Sequence, residues 1–301
     1  MKKRFRTQHG LAAVACLAVS SQVSAQSIAL VNGSFEDPDI PQANLSLIDF
    51  SQINSQLEFE FAIGRLLSVD FFGSGWTQTG PTSNFTNPPN QQTGVFSNQS
   101  VVVNSPQFNV QIDPIENVDG DGVGFDQLGF ILADPFADGV LNDFVSIHQA
   151  SAGVFEADTE YRFTLAVGLS SVFPAGDDAP LRIAIGYLDD TPGLEGSEKF
   201  IELDGLDIIA SDLGPGTGTS GPTPLEDFWV DLTPDEIAPE LLGKTIAVEI
   251  RVDVPSDVPV QDRFNIGGSF NFDNARLTVV PEPTSLALLG LGGLLALRRR
   301  R

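Results

Sequence analysis

The alternation of apolar and polar residues predicts β-strands through most of the chain. β-Branched and aromatic residues are frequent in 161–167, 181–187 and 245–252, where polar or small residues recur at every second position, as in strands with one wet face. Further apolar segments occur at 207–210, 228–232 and 270–280. Many short strands with few helices favour an all-β fold over a βαβ fold. We therefore expect a single jelly-roll-type β-sandwich with insertions, spanning residues 26–280.

Three segments depart from the strand pattern. Thr233, Pro234 and Glu236 provide an N-cap, a proline at the first helical position and a glutamate at N3, which predicts a short helix that ends near Gly243 and links two strands. Residues 44–69 fit neither the strand nor the helix period and stay unassigned. Residues 211–224, rich in Gly, Pro and Thr, form a loop that cannot bury a core face.

The N-terminus has the three parts of a secretory signal. Four basic residues lie within the first six positions, an apolar segment covers 11–19, and small residues at 23–25 suit a signal peptidase. We predict a signal peptide over residues 1–25, cleaved after Ala25. Cys16 then belongs to the apolar core of the signal, rather than to a lipoprotein box, and the exported chain has no cysteine. Its rigidity would have to come from a large core or a calcium site instead of disulfides.

The C-terminus has the layout of a second membrane segment. Pro281, Glu282 and Pro283 precede 13 apolar residues, 285–297, and the chain ends with four arginines, Arg298, Arg299, Arg300 and Arg301. A helix of this length is ~20 Å long against a hydrocarbon core of ~30 Å, so the flanking residues and arginine stems must reach the interfaces. The arginines would stop transfer and hold this end in the cytoplasm. The alternative is a buried core helix with a polar tail. It gives no reason for four consecutive arginines directly after the apolar segment.

This tail resembles the PEP-CTERM protein-sorting signal: a Pro-Glu-Pro motif, a short Gly/Leu-rich transmembrane helix and an Arg-rich end, within residues 281–301. The resemblance implies recognition of Pro281, Glu282 and Pro283 by a membrane enzyme of the exosortase family and cleavage near the motif. It also implies a transient stay in the inner membrane through helix 285–297. Delivery to the cell surface or the extracellular space of a Gram-negative bacterium would follow.

The distribution of charge makes the body of the protein more acidic than the average suggests. The chain has 16 basic and 40 acidic residues and a formal charge of −24. Four basic residues lie in 1–25, and four basic residues with one acidic residue lie in 281–301, which leaves 8 basic against 39 acidic residues and a charge of −31 for the body. Such a surface excludes nucleic acid as a partner, repels anionic polymers and attracts calcium or cationic partners.

The usual groups of an enzyme site are missing from the sequence. His9 lies in the predicted signal peptide, so His148 is the one histidine of the exported chain, and neither a multi-histidine zinc site nor Cys-His catalysis can be built. No Gly-x-Ser-x-Gly turn presents a serine, and we expect His148 to be a strand residue at a sheet surface. The sequence predicts a non-enzymatic protein. A glycoside hydrolase, which needs only two carboxylates, is a remote alternative.

The two ends of the body show a second, weaker resemblance. Residues 30–36 (Leu-Val-Asn-Gly-Ser-Phe-Glu), the pair Gly75-Trp76, and residues 272–277 (Phe-Asp-Asn-Ala-Arg-Leu) are similar to galactose-binding-like jelly rolls and carbohydrate-binding modules. In that family the first and last strands are neighbours and share a structural calcium ion. The resemblance implies that Glu36 and Asp273 bind calcium, helped by backbone oxygens near Asn32 and Ser34. An insertion around residues 44–69 has to be assumed.

A second candidate calcium loop lies at 117–126. Asp119 and Asp121 alternate with glycines, which puts oxygen atoms on one side of a tight loop. The loop is not an EF-hand, because Leu128 stands where the closing glutamate would be. The alternative is a flexible acidic turn that leads into a strand at 123–125.

Two interpretations of function follow. The first is an exported, non-enzymatic protein of the cell surface or extracellular matrix, with signal peptidase and an exosortase-type enzyme as its processing partners. The alternative is a calcium-dependent module that binds extracellular polysaccharide by stacking aromatic side chains on sugar rings. An exposed tryptophan on a flat face would favour the alternative, and burial of both tryptophans would disfavour it. The candidate aromatic residues are Trp76, Trp229, Tyr161 and Tyr187.

Overall fold

The computed structural model describes thirteen segments of the chain, and every structural statement below concerns them. They are residues 25–35, 68–69, 75–79, 93–97, 101–104, 109–112, 116–119, 122–128, 144–169, 180–191, 199–213, 224–253 and 268–281.

The described segments contain fourteen strands. The first seven are short: β1 (Gln26–Ile28), β2 (Ser68–Val69), β3 (Thr77–Thr79), β4 (Thr93–Ser97), β5 (Val101–Asn104), β6 (Asn109–Ile112) and β7 (Gly122–Leu128). The second seven are longer: β8 (Phe144–Val154), β9 (Glu160–Leu169), β10 (Pro180–Leu188), β11 (Phe200–Ile209), β12 (Glu226–Leu232), β13 (Thr245–Asp253) and β14 (Gly268–Val280).

The strands form two large antiparallel sheets and one small ribbon. The seven-stranded sheet has the order β12-β9-β14-β7-β4-β2, and β1 pairs with the far end of β14. The five-stranded sheet has the order β11-β10-β13-β8-β3, and β5 pairs with β6. Neighbouring strands in these sheets are mostly distant in sequence, as in a sandwich whose connections cross from one sheet to the other.

One apolar core joins the inner faces of the two large sheets. Alternate residues of β9 and β14 point inward from the seven-stranded sheet, and alternate residues of β10 and β13 point inward from the other. This spacing is what a strand with one buried face requires. Fully buried members include Phe163, Leu165, Phe272, Leu277, Ile183 and Ile250. The prediction of an all-β sandwich is confirmed for the described part of the chain.

The predicted linker helix is present as two 3₁₀ turns, Pro234–Glu236 and Pro239–Leu241, between β12 and β13. The backbone N–H of Thr233 donates a hydrogen bond of 2.7 Å to a carboxylate oxygen of Glu236, as the sequence indicated. Gly243, at φ +84°, leads out of the second turn.

The predicted membrane segments lie outside the described residues. Within the part that the structure describes, no helix is long and apolar enough to cross a membrane. Residues 1–24 of the signal peptide, helix 285–297 and Arg298 to Arg301 are not among the described residues, nor is most of segment 44–69.

The prediction of one wet face is wrong for the middle of β13, in the five-stranded sheet. In β13, residues 246–250 are buried on both faces, and this includes Glu249. His148 lies in a strand, as predicted, but it is 3% exposed rather than at a sheet surface. Alternation identifies which residues share a face, but not whether something covers that face.

Candidate functional site

The N-terminal turn is fastened to both sheets. Residues 31–34 form a turn in which Asn32 has φ 53°, and the N–H of Phe35 donates a hydrogen bond of 3.1 Å to the carbonyl of Asn32. The side-chain amide of Gln149, on β8, binds the N–H and the carbonyl of Val31 at 2.7 and 2.9 Å. The Asn-Gly dipeptide favours such a turn, because both residue types tolerate unusual backbone angles.

Aromatic packing closes the space below this turn. The Phe35 ring stacks on Trp76 with centroids 5.4 Å apart, and it meets the edge of Phe272 at 5.2 Å. The indole N–H of Trp76 donates to the carbonyl of Asn32 at 3.2 Å. Trp76 is 4% exposed and serves the core, so it is excluded as a platform for sugar.

A bulge in β14 brings Asp273 to the same corner. Asn274 and Ala275 together lie opposite the single residue Leu165 of β9, so β14 has one extra residue between Asp273 and Arg276. The N–H of Ala275 donates to the carbonyl of Gly33 at 2.7 Å, and a Cβ atom on Gly33 would lie 2.4 Å from the carbonyl oxygen of Ala275. Glycine is therefore required where the first turn contacts the last strand.

Asp273 is fully buried and accepts backbone hydrogen bonds at both carboxylate oxygens. Oδ2 accepts from the N–H of Asp119 at 2.5 Å, and Oδ1 accepts from the N–H of Asn274 at 2.6 Å. Two further bonds hold segment 116–119 against Leu225: the side chain of Asn117 donates to the Leu225 carbonyl, and the Leu225 N–H donates to the Glu116 carbonyl, each at 3.1 Å.

The structure thus brings together members of the two predicted calcium sites. Asp273 and Asp119 lie at one corner, but Asp119 contributes its backbone N–H there. Glu36 and Asp121 lie outside the described residues. Among the residues that are described, no group of three or more His, Cys, Asp or Glu side chains is placed to hold a metal ion. Calcium takes 6–8 oxygen ligands, so Asp273 alone does not form the site.

The outer face of the seven-stranded sheet carries an exposed tryptophan. Trp229 of β12 lies opposite Thr164 of β9, which in turn lies opposite Arg276 of β14. Directly opposite residues share a face, and these alternate with the core residues Phe163 and Leu165. Trp229 is 49% exposed, so its ring lies on a polar surface formed by three strands.

Ion pairs fix the charged groups around this ring. Arg162 binds Asp231 through two hydrogen bonds of 2.5 and 2.7 Å, and its guanidinium carbon lies 5.3 Å from the centroid of the Trp229 ring. Hydrogen bonding to Asp231 raises the pKa of Arg162, against the opposing effect of burial. Arg276 pairs with Asp227 at 2.7 Å. The two hydrogen bonds to Asp231 thus hold the planar Arg162 guanidinium in a fixed position beside the Trp229 ring.

The sequence analysis named Trp229 but missed its neighbours Arg162, Arg276, Asp227 and Asp231. A usable signal was present in Glu226–Leu232. Phe228, Val230 and Leu232 occupy one face of this strand, which places Trp229 with the two aspartates on the other face. The corner at Asp273 lies on this same outer face, because Asp273, Ala166 and Asp227 are directly opposite one another.

The two predicted tyrosine platforms have other environments. Tyr161 is buried, and its hydroxyl donates to the carbonyl of Val154 at 3.1 Å and accepts from the N–H of Glu156 at 2.8 Å. Burial raises the pKa of Tyr161. The Tyr187 ring is partly buried and is contacted by the Lys244 ammonium at 4.4 Å from its centroid. Tyr161 therefore has no exposed ring, and the Tyr187 ring is less exposed than that of Trp229.

A buried polar row crosses the five-stranded sheet. Ser146 and His148 share one face of β8, and Glu249 of β13 lies directly opposite His148. Ser146 Oγ and His148 Nδ1 have no hydrogen-bond partner among the described residues. Burial, aided by the positive charge of Lys199, lowers the pKa of His148 to about 4, so that this side chain is neutral at pH 7.

The fold and the tail together define a class of protein: a two-sheet antiparallel β protein with a C-terminal sorting signal. That signal is the PEP-CTERM protein-sorting motif, whose family model matches residues 279–301. This motif supports export and sorting to the surface of a Gram-negative bacterium, and it implies recognition by an exosortase-type enzyme. A comparison with the curated proteins found no match.

A comparison with solved structures matched this chain to three others, each with a TM-score below 0.5. One is the K1 cleaved adhesin domain of Lys-gingipain from Porphyromonas gingivalis W83, with 13% identity, TM-score 0.33, and coverage of 72% of this chain and 98% of that one. Another is the CBM22-1 xylan-binding domain of Paenibacillus barcinonensis Xyn10C, with 10% identity, TM-score 0.28, and coverage of 72% and 94%. The third is the enzymatically active domain of bacteriophage CBA120 tailspike protein 4, with 10% identity, TM-score 0.32 and coverage of 69% of this chain but 20% of that one. We take no function from these likenesses.

Proposed function

We propose that the chain is an exported, non-enzymatic protein that binds neutral extracellular polysaccharide through the outer face of its seven-stranded sheet. The observation that carries the proposal is the exposure of Trp229 among polar side chains on the outer face of the sheet. A tryptophan left half in water has an apolar face that a sugar ring can cover, and such rings are enriched in binding sites for this reason. Sorting to the cell surface would place this face where such polymers occur.

The groups around Trp229 suit the hydroxyls of a sugar. Arg162 and Arg276 offer N–H donors, Asp227 and Asp231 offer acceptors, and Thr164 offers both. The ion pairs keep these groups in place before a ligand arrives, which reduces the ordering that binding requires. The body charge of −31 disfavours uronic-acid polymers, so we expect neutral polysaccharides to be the ligands.

A binding assay on a glycan panel tests this proposal. The purified body, residues 26–280, is compared with its Trp229→Ala and Trp229→Phe variants on neutral and anionic polysaccharides. We expect the alanine variant to lose about tenfold or more in affinity and the phenylalanine variant to retain part of it. Leu242→Ala is the matched control, because Leu242 is also an exposed apolar residue and lies in the link between β12 and β13 rather than on a strand of this sheet. Equal binding by wild type and Trp229→Ala would contradict the proposal.

The same panel tests the absence of catalysis. We propose that the protein binds polysaccharide without cleaving it. New reducing ends, measured after prolonged incubation with each polymer that binds, would favour the glycoside hydrolase alternative. Polymers recovered at their original length are the result that we expect.

We also propose that calcium stabilises the corner beside this face. The supporting observation is the meeting of Asp119 and Asp273, which the sequence had placed in separate candidate sites. Asp273 and Glu36 would supply carboxylate oxygens, the loop with Asp121 would supply a further one, and carbonyls near Asn32 and Ser34 would complete the set. Asp227 and Trp229 are two positions apart on β12, and Asp227 lies on the same outer face as Asp273, so order at this corner would support the sugar-binding face.

A further inference from the structure

The first strand of the body covers one edge of the last strand, next to the sorting motif. β1 pairs with β14 in antiparallel register, with Gln26 opposite Val279, Ser27 opposite Thr278 and Ile28 opposite Leu277. β14 ends at Val280, and Pro281 is the next residue. The predicted signal-peptide cleavage site after Ala25 and Pro281, the first residue of the motif, therefore lie side by side at one end of the seven-stranded sheet.

The backbone just before the motif is paired on both sides. On its other edge, β14 pairs with β9 as far as Val280, which lies opposite Glu160. One general mode of peptide recognition is strand addition, in which two chains pair through an exposed edge of N–H and C=O groups. Residues 277–279 offer no such edge while β1 is in place.

β1 is the weaker of the two neighbours. Its pairing covers three residues, whereas the pairing of β14 with β9 runs from Phe270 to Val280. Gln26 and Ser27 are exposed, and Ile28 alone is partly buried, where it packs on the core and against Gly153. Beyond Ile28 the chain is held again, because the carbonyl of Ala29 accepts the N–H of Ala152 at 3.1 Å. The three residues of β1 can leave without undoing the turn that follows them.

We propose that β1 is a removable strand, and that its departure uncovers residues 277–279 as the docking edge for the sorting enzyme. Exposed edges invite pairing with other chains, and a short covering strand suppresses this until the proper partner arrives. The proposal rests on sorting through the motif. It adds that the paired state of β1 controls how fast the tail is processed.

A reversible lock tests the proposal in the full-length chain, expressed in a host that processes such tails. Ser27→Cys together with Thr278→Cys places two cysteines directly opposite each other, at a separation that suits a disulfide between paired strands. The one natural cysteine, Cys16, lies in the predicted signal peptide. We expect the oxidised double variant to lose its tail about tenfold more slowly in a pulse-chase, since processing falls with the population of the open state.

Three controls make the result specific. Ser27→Cys alone cannot form the lock and should be processed at the wild-type rate, and a reductant should restore processing of the double variant. Ile28→Ala, which weakens β1, should accelerate processing several-fold. Replacement of Pro281, Glu282 and Pro283 by alanines should abolish processing, and failure of that control would refute sorting itself. Wild-type rates in both the locked variant and Ile28→Ala, with the alanine control inactive, would overturn the strand proposal alone.

Discussion

The backbone N–H of Asp119 donates a hydrogen bond of 2.5 Å to Oδ2 of Asp273, 154 residues further along the chain. This bond ties the loop that precedes β7 to the bulge of β14. Because Oδ1 of the same carboxylate accepts the N–H of Asn274, one buried anion satisfies two backbone donors at the corner. Charge-assisted bonds of this kind are stronger than neutral ones.

Asp273→Asn should lower the free energy of unfolding by about 2–4 kcal/mol. The amide has one acceptor oxygen in place of two and no charge, so a buried N–H loses its partner. Chemical denaturation of the body, monitored by far-UV circular dichroism, measures the change. Asp119→Ala is the matched control: it removes an exposed side chain and keeps the N–H, so we expect a change within about 0.5 kcal/mol. A larger effect for Asp119→Ala than for Asp273→Asn would contradict the assignment.

Calcium should raise the unfolding temperature of the wild-type body. An ion present at 100 times its dissociation constant adds about 2.7 kcal/mol to the free energy of unfolding, provided that it binds only the folded state. The comparison is between thermal melts in chelator and in calcium, with magnesium as the ionic control. In Asp273→Asn we expect calcium and chelator to give the same melting temperature. No shift in the wild type, or an equal shift in both proteins, would refute the calcium proposal.

Acid should destabilise the protein through His148. Its pKa of about 4 in the folded chain lies below the ordinary 6.5, so the unfolded chain binds more protons between these two values. The stabilisation is therefore fully present above pH 6.5 and is lost as the pH falls toward 4. Between pH 7.5 and 5, this amounts to about 2 kcal/mol.

The variant His148→Gln isolates this effect from the titration of the carboxylates. Denaturation at pH 7.5, 6.5, 5.5 and 5 should show a smaller loss of stability in the variant, by about 2 kcal/mol over the range. Identical slopes for both proteins would show that His148 titrates with an ordinary pKa.

The strands and the meeting of the chain ends could be predicted from the sequence. Alternation located the strands around 161–167, 181–187 and 245–252, because one face of each is apolar. The resemblance to jelly rolls placed the first and last strands together, and β1 does pair with β14. The strands follow from short-range alternation. The pairing of the end strands follows from the resemblance to a known fold.

The composition of the candidate site could not be predicted in the same way. The contact between Asp119 and Asp273 joins residues 154 positions apart in the chain, and no local pattern records it. Glu249 and His148 were expected on wet faces, since alternation says nothing about what covers a sheet. The sequence analysis also did not decide which tryptophan is exposed. Asp227 and Asp231, two positions before and after Trp229, indicated that Trp229 lies on the exposed face of its strand.

The location of the processed protein in a culture of its own host tests the central claim most directly. We expect wild type and Trp229→Ala to be processed equally at the tail, because the substitution lies outside the sorting motif. After separation of the extracellular matrix from the medium, the wild type should remain with the polysaccharide fraction, whereas Trp229→Ala should be found mainly in the medium. Equal retention of both proteins in the matrix would contradict polysaccharide binding through this face.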